Sequence, residues 1–278
     1  MILDGAKTAE LIRKEISEEI KDKNLNVTLA IFYAGSNPAS AIYVNNKVKA
    51  CDEVGIKAII YRFDDNVSQI EIINKIKECN NDKNINGIMV QLPLPNHLDE
   101  EEVVNTIRYD KDVDGLGIVN QGKLFKGQEC INPATAKGII TLLKYNNISI
   151  AGKNACVIGR SILVGKPVSM LLLKENATVT MCHSRTVNLK EITKKADILV
   201  VAIGKPKFVT SDMVKKDGVV VDVGINRVEG KVCGDVDFDS VFEVASYISP
   251  VPRGVGPMTI ATLLQNTLEC FHIQERHE

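Results

Sequence analysis

Residues 155–173 read ACVIGRSILVGKPVSMLLL, an order of residue types that predicts a strand, a glycine turn and a helix. The apolar run Ala155–Ile158 is followed at once by Gly159, and apolar residues return at helical spacing after Gly165. In a dinucleotide site, glycines at such a turn permit a tight bend and let free N–H groups of the helix face a pyrophosphate. The spacing Gly-x-Ser-x3-Gly differs from the usual Gly-x-Gly-x2-Gly, so an ordinary strand-to-helix turn stays an alternative.

The strand-like run Ala177–Cys182 ends without an acidic residue. It leads into His183-Ser184-Arg185-Thr186, whereas an NAD site usually has Asp or Glu here for the ribose hydroxyls. An acid would repel a 2′-phosphate, but Arg160, Ser184 and Arg185 can bind one through charge-assisted hydrogen bonds. The sequence therefore favours NADP over NAD. The alternative is that Ser184 and Arg185 belong to a solvated loop.

Composition excludes several classes of protein. The chain has 278 residues, 45% of them hydrophobic and 25% charged, which fits a globular protein of two domains. The net charge of −1 and the lack of a basic stripe argue against nucleic acid as a partner. Apolar runs such as Ala196–Gly204 are too short to cross a membrane, and the first residues do not resemble a signal peptide. Seven scattered cysteines without C-x2-C spacing argue against disulfides and zinc and favour a reducing, cytoplasmic setting.

Alternating helical and strand patterns predict an α/β fold with mainly parallel sheets. In the first half, we predict helices at 6–23, 40–54 and 68–78 and strands at 27–33, 57–63 and 87–91. Residues 92–133 look loop-like apart from a short helix near 101–107, and a helix at 135–145 leads into the second half. There, strands are predicted at 155–158, 178–182, 198–202, 219–223 and 247–248, before a closing helix at 258–271. The predicted domains are 1–134 plus 258–278, and 135–257.

The first half of the chain contains several polar residues that could take part in binding or catalysis. Tyr43 and Lys47 are four apart on a predicted helix and so share one face. An aromatic ring beside a lysine suits a planar heterocycle, and the lysine can carry a proton if desolvation lowers its pKa. Such pairs are more often plain amphipathic cover. Gln91 follows a predicted buried strand and so lies at a carboxyl edge, where ligands collect, while the acidic loop Asp110–Gly115 could equally be a solvated turn.

Seven segments together resemble the bifunctional methylenetetrahydrofolate dehydrogenase/methenyltetrahydrofolate cyclohydrolase family. They lie at 38–51 (PASAIYVNNKVKAC), 91–95 (QLPLP), 111–115 (KDVDG), 159–167 (GRSILVGKP), 178–184 (TVTMCHS), 218–226 (GVVVDVGIN) and 254–259 (GVGPMT). They occur in the family's order and cover nearly the whole chain. The resemblance implies two α/β domains, the second a Rossmann-type dinucleotide-binding domain, with a ligand cleft between them.

The same resemblance implies roles for individual residues. Tyr43 would pack on the folate ring system, Lys47 would be the principal catalytic residue, Gln91 would hydrogen-bond near Lys47, and Asp114 would pair with the pterin. The implied NADP contacts are Gly159, Arg160, Ser161 and Ile225, with Ser184 at the 2′-phosphate. The first domain would hold folate and the second NADP. No metal is implied, and the family is homodimeric.

The implied activity is NADP-dependent oxidation of 5,10-methylenetetrahydrofolate to 5,10-methenyltetrahydrofolate, followed by hydrolysis to 10-formyltetrahydrofolate. Two alternatives stay open at this point. One is an NADP dehydrogenase for another small substrate, with Lys47 as the proton donor to a carbonyl. The other is a catalytically silent cofactor-binding protein, against which the intact Lys47, Gln91 and Asp114 speak.

Arg253 is the sharpest departure from the family, which has glycine at this position in a Pro-Gly-Gly-Val-Gly-Pro loop. If the position needs a positive φ, arginine strains it by about 1 kcal/mol or more. We therefore expect a strained loop, or a rebuilt one with Arg253 pointing outward or toward a folate carboxylate.

Overall fold

The computed structural model describes residues 1–276, apart from the side chains of Pro38 and Ala39. The chain forms two compact units. One contains residues 11–134 and the chain from Ile260 onward, and the other contains residues 1–10 and 135–259. We call them the three-stranded unit and the five-stranded unit after their main sheets.

The three-stranded unit is built on a parallel sheet in the order β2-β1-β3. The strands are β1 (Thr28–Ala34), β2 (Lys57–Phe63) and β3 (Gly87–Val90). The helices around them are α2 (Pro38–Val54), α3 (Gln69–Asn81), α4 (Glu100–Asn105) and α5 (Ile118–Phe125). All seven residues of β1 are buried, as expected for the central strand of a sheet covered on both faces.

One core of this unit lies between the sheet and α3. Phe32 of β1 and Ile88 of β3 pack in one cluster with Ile72 and Ile76 of α3. Ile72 and Ile76 have the four-residue spacing of one helix face, and the cluster members of β1, at 30, 32 and 34, have the two-residue spacing of one strand face. Each such side chain, when fully buried, contributes about 1.5–3 kcal/mol to stability. This packing therefore fixes the sheet that carries the loops at its carboxyl edge.

The five-stranded unit has a parallel sheet in the order β10-β7-β6-β4-β5. Its strands are β4 (Asn154–Ile158), β5 (Thr178–Cys182), β6 (Ile198–Val201), β7 (Val219–Asp222) and β10 (Tyr247–Ile248). An antiparallel hairpin of β8 (Asn226–Val228) and β9 (Lys231–Cys233) follows β7. The helices are α6 (Ala134–Tyr145), α7 (Gly165–Lys174), α8 (Leu189–Thr193) and α9 (Phe238–Phe242), with a 3₁₀ turn at Ser211–Met213. This is a Rossmann-like sheet.

Residues 1–10 pack with the five-stranded unit, although the sequence pattern predicts that they belong to the first domain. Ile2 bridges Ile248 in parallel, and the Leu3 N–H donates to the Ile248 carbonyl oxygen at 2.9 Å. Helix α1 (Gly5–Asp22) follows. The closing helix α10 (Val255–Glu275) contributes its residues from Ile260 onward to the three-stranded unit.

The predicted α/β class with parallel sheets is confirmed. The bounds of β2, β5 and β10 agree with the sequence-based prediction, and most other elements differ by one to three residues. The prediction that 92–133 contains a single short helix is wrong, because α5 also lies there, and the β8–β9 hairpin was not predicted. Within residues 1–276, no helix combines the length and apolar character that crossing a bilayer requires.

Candidate functional site

Each main sheet has a switch point at its carboxyl edge. Strand β1 lies between β2 and β3, and strand β4 lies between β5 and β6. In each case the next strand along the chain lies on one side and the strand after it lies on the other. The strand order reverses there, and a crevice opens at the carboxyl ends, which is where α/β proteins bind ligands. Most of the site residues predicted from the sequence follow strands that end at one of these two edges.

In the three-stranded unit, Lys47 and Gln91 meet directly. Helix α2 follows β1 and carries both Tyr43, whose side chain is 43% exposed, and the partly buried Lys47 one turn later. Lys47 Nζ donates to Gln91 Oε1 at 2.9 Å, and Gln91 Nε2 donates to the Leu92 carbonyl oxygen at 2.7 Å. The second bond fixes the amide with its oxygen toward the lysine.

Asp114 belongs to a segment that extends the same sheet. The Ile88 N–H donates to the Lys111 carbonyl oxygen at 2.7 Å, and the Val113 N–H donates to the Ile88 carbonyl oxygen at 3.3 Å. The buried Lys111 reaches the carboxyl end of α3, where its Nζ donates to the carbonyl oxygens of Cys79 and Asp82 at 3.0 and 2.7 Å. Lys111 therefore serves as a helix cap that anchors the loop before Asp114.

Charges at this edge are strongly perturbed. Burial lowers the pKa of Lys47, while the nearby Asp114 and Cys51 oppose that shift. Burial likewise raises the pKa of Asp114, and Lys47 opposes it. Burial also raises the pKa of Cys51, one turn beyond Lys47, to about 12. A lysine whose pKa is lowered by burial gives up a proton and takes it back more readily than an exposed lysine.

In the five-stranded unit, the turn after β4 requires glycine at two positions. Gly159 has φ +126°, and a Cβ built there would lie 2.3 Å from the Ala202 carbonyl oxygen. A Cβ at Gly165 would lie 2.3 Å from the Gly159 carbonyl oxygen. Ser161 Oγ accepts hydrogen bonds from the N–H groups of Val164 and Gly165, at 3.2 and 3.3 Å. The start of α7 is thus drawn tightly against the end of β4, as the sequence predicted.

A compact turn follows β5 and leaves its polar side chains exposed. The His183 N–H donates to Thr186 Oγ1 at 2.8 Å, and the Arg185 N–H donates to His183 Nδ1 at 3.1 Å. Ser184 and Arg185 are exposed at the tip of this turn, and Arg160 is exposed beyond β4. The side chain of Ile225, which follows β7, is 54% exposed. All of these positions lie beyond the carboxyl ends of strands β4, β5 and β7.

Sequence reasoning did not single out two buried carboxylates beneath this edge, Asp222 and Asp235. Burial raises the pKa of Asp222 to about 7, and the neighbouring Asp235 adds to the shift. The sequence does contain one signal for Asp222: it is an aspartate at the end of an apolar strand, and a charged residue buried there needs a specific partner.

Arg253 adopts φ +82°, so the position does need the left-handed region. Its side chain is 71% exposed and places Nη2 4.0 Å from Asp4 Oδ2. The arginine therefore points outward and keeps the strained backbone.

Within the described residues, no three His, Cys, Asp or Glu side chains are grouped so that they could hold a metal ion.

Comparison with known proteins shows the family of this chain. Residues 3–114 match the catalytic-domain model of tetrahydrofolate dehydrogenase/cyclohydrolase, and residues 133–275 match its NAD(P)-binding-domain model. The bifunctional protein FolD of Bacillus anthracis is 50% identical over 273 residues, which cover 97% of this chain and 96% of that protein.

Solved structures give the same result. The bifunctional FolD methylenetetrahydrofolate dehydrogenase/cyclohydrolase of Campylobacter jejuni is 44% identical, with a TM-score of 0.96 over 99% of both chains. The Trypanosoma brucei enzyme, solved with NADP and an inhibitor, is 35% identical, with a TM-score of 0.93 over 99% of this chain and 98% of that one. The fold and the second edge define a two-domain α/β protein with a Rossmann-like nucleotide-binding domain. Within that class, the chain belongs to the tetrahydrofolate dehydrogenase/cyclohydrolase family.

Proposed function

We propose that this chain oxidises 5,10-methylenetetrahydrofolate to 5,10-methenyltetrahydrofolate with NADP and then hydrolyses the product to 10-formyltetrahydrofolate. The three-stranded unit holds the folate and the five-stranded unit holds the nucleotide. The observation that carries the proposal is the hydrogen bond from Lys47 Nζ to Gln91 Oε1, made by a lysine whose pKa is lowered by burial.

On the folate side, each residue has a distinct task. The exposed ring of Tyr43 offers a flat apolar face for the pterin and its neighbouring ring. The Asp114 carboxylate accepts a fork of N–H groups from the amino-pyrimidinone edge, as it would from a guanidinium. A neutral Lys47 takes a proton from the attacking water and returns it as the ring opens. Gln91 holds the amine in place for both transfers.

On the nucleotide side, the residues present fit NADP. When bound, NADP accepts the hydride released by the folate. Ser184 and Arg185 stand exposed where an NAD site would carry an acid, and Arg160 adds a second positive charge. Gly159 and Gly165 bring backbone N–H groups close to the pyrophosphate position, Ser161 lines the same turn, and Ile225 offers an apolar surface to the nicotinamide.

The direct test measures methylenetetrahydrofolate-dependent reduction of NADP and NAD side by side, together with methenyltetrahydrofolate hydrolysis. Lys47→Met should lower hydrolysis by at least about 100-fold, because general acid–base catalysis contributes on that order. Its affinity for NADP should stay near that of the wild type. Lys49→Met, on the same helix but exposed, is the matched control. Full hydrolysis by Lys47→Met would refute the proposed role, and reduction of NAD alone would refute the choice of cofactor.

The proposal also includes a homodimer and a cytoplasmic setting. Strand β2 is the outer strand of its sheet, and Ile60 on it is 44% exposed, so this edge offers a second copy both backbone and apolar contacts. Within the described residues, the seven cysteines form no disulfide, which fits a reducing compartment. Light scattering tests the assembly: a wild-type dimer and an Ile60→Lys monomer are expected, and a monomeric wild type would contradict it.

A further inference from the structure

We infer that Asp235 is a positioning residue for the nicotinamide half of the nucleotide site. Its side chain is fully buried, and its carboxylate oxygens accept hydrogen bonds from protein N–H groups. It acts through two backbone segments that form the carboxyl edge after β6 and β7. The inference rests on the proposed function and extends it to a residue that no motif of the nucleotide turn includes.

The Asp235 carboxylate joins these two segments. Oδ2 accepts hydrogen bonds from the N–H groups of Ile203 and Gly204, at 2.7 and 3.0 Å. Oδ1 accepts from the Lys205 N–H at 2.7 Å and from Asn226 Nδ2 at 2.9 Å. Three successive N–H groups after β6 and one amide after β7 therefore share a single carboxylate. Backbone N–H groups that converge in this way form an anion-binding nest, here filled by the protein's own side chain.

Asp222 in turn fixes the backbone that carries Asp235. Its Oδ1 accepts from the N–H groups of Asp235 and Gly224, at 2.9 and 3.1 Å, and its Oδ2 accepts from the Val236 N–H at 3.0 Å. Asp222 ends β7, so these bonds tie the chain beyond the β8–β9 hairpin to the sheet. The position of Asp235 is thereby set by the central strands.

Two glycines make room for the carboxylates. A Cβ built at Gly224 would lie 2.2 Å from Asp235 Cγ, and one at Gly234 would lie 1.7 Å from Asp222 Oδ2. The space beside both backbones is therefore occupied by carboxylate atoms. The segment 224–226, which includes the exposed Ile225, rests directly on Asp235.

The strand order indicates which half of the nucleotide this network serves. Along the sheet, β5 lies on one side of β4, and β6 and β7 lie on the other. Ser184 and Arg185 after β5 suit the 2′-phosphate end, and the turn after β4 suits the pyrophosphate. The remaining half of the dinucleotide then extends past β6 and β7, over the two segments that Asp235 joins.

Asp235→Asn tests the inference, because the new amide group would turn a hydrogen-bond donor toward backbone N–H groups. Leaving such buried donors unpaired distorts the two segments. We expect the KM for NADP to rise on the order of tenfold or more, with a matching loss in NADP affinity. Binding of 2′,5′-ADP, which carries only the adenosine half, should stay within about twofold. Methenyltetrahydrofolate hydrolysis should do the same, since it needs no nucleotide.

A matched control, Asp197, lies at the opposite end of β6 from the segment that Asp235 holds. Asp197 immediately precedes β6, and it accepts from the Asn154 N–H at 2.9 Å and from Lys215 Nζ at 2.6 Å. Asp197→Asn should leave the KM for NADP unchanged. Asn226→Ala removes one of the four hydrogen bonds to Asp235 and keeps the Asp235 side chain itself, so it tests the same link if Asp235→Asn does not fold. We expect it to raise the KM for NADP about threefold.

An unchanged KM for NADP in the folded variants would overturn the inference. So would an equal loss of NADP and 2′,5′-ADP binding, which would indicate general loosening of the unit. Failure of the proposed function is a separate outcome, because it would appear as absent NADP reduction by the wild type. Direct titration with NADP needs no folate turnover and still compares Asp235→Asn with Asp197→Asn in that case.

Discussion

The two ligand edges use charge in opposite ways. In the three-stranded unit, Lys47 and Asp114 are the groups proposed to contact the folate, and burial lowers the pKa of Lys47 and raises the pKa of Asp114. In the five-stranded unit, Asp222 and Asp235 are buried under the edge and grip backbone N–H groups, while Ser184 and Arg185 stand in solvent. In the proposed mechanism, the charged groups of the first edge take part in proton transfer and folate binding, whereas those of the second edge fix the backbone.

The difference follows from the chemistry of the two ligands. A proton transfer needs a side chain whose charge can change, so desolvation at Lys47 is useful. A bound dinucleotide needs a backbone that approaches it closely and N–H groups in fixed directions. Glycines allow the close approach, and buried carboxylates fix the backbone. Substitutions at the two edges should therefore separate the two activities.

The largest separation is expected from Gly165→Ala. The added Cβ would overlap the Gly159 backbone and push α7 away from β4. A displacement of about 1 Å at a reacting site can cost on the order of 100-fold in rate, so dehydrogenase activity should fall by at least that factor. Hydrolysis of methenyltetrahydrofolate should persist. Both rates can be followed by absorbance in one preparation.

Gly152→Ala is the control for that substitution. Gly152 lies in the same unit and has a positive φ, +73°, and a Cβ there meets nothing within 4 Å. This variant should lose about 1 kcal/mol of stability and keep both activities. A comparable loss of dehydrogenase activity in both variants would mean that a general loss of stability, and not the close approach at Gly159, explains the effect.

A smaller effect is expected from Asp114→Asn at the other edge. The Asp114 carboxylate raises the pKa of Lys47, since a nearby anion favours the protonated amine. Removing that anion lowers the lysine pKa further, so the Lys47-dependent inflection in the pH profile of hydrolysis should move to lower pH. The KM for folate should rise about tenfold through the lost forked hydrogen bonds. A shift of the inflection to higher pH would contradict the electrostatic coupling.

The smallest effect is expected from Arg253→Gly. Glycine removes the strain of φ +82° but forfeits only an exposed contact of 4.0 Å with Asp4. Stability should rise by up to about 1 kcal/mol, seen as a melting temperature a few degrees higher. The KM for both substrates should stay unchanged, because the side chain points outward. A change in folate affinity would show that Arg253 does belong to the site.

The fold was largely predictable where local pattern and tertiary structure agree. Strand β2 was predicted with its observed bounds, since its β-branched and aromatic residues lie between turn signals. Helix α5 was missed because its start is capped from a distance: Asn105 Oδ1 accepts the Ile118 N–H at 2.8 Å. The β8–β9 hairpin was missed because it turns on Glu229-Gly230, which is a weaker signal than Asn-Gly or Asp-Gly.

Site residues were predictable to a similar limit. Lys47 and Gln91 could be expected at one edge because each follows a strand of the same parallel sheet, β1 for Lys47 and β3 for Gln91. Helix α10 was predicted to begin after Pro257, yet it begins at Val255, because a proline in the first turn lacks only an N–H that has no helical partner there. Asp235 was beyond prediction, because its partners come from two other segments of the chain.

The way the chain is divided between its units has a consequence for synthesis on the ribosome. The five-stranded unit begins with residues 1–10 and is complete once residue 259 has emerged. The three-stranded unit, most of which is made earlier, still lacks the part of α10 that carries the buried Leu264 and Asn266. The unit that is translated first is therefore finished last, and a nascent chain halted at residue 259 would expose an unfilled apolar core to chaperones.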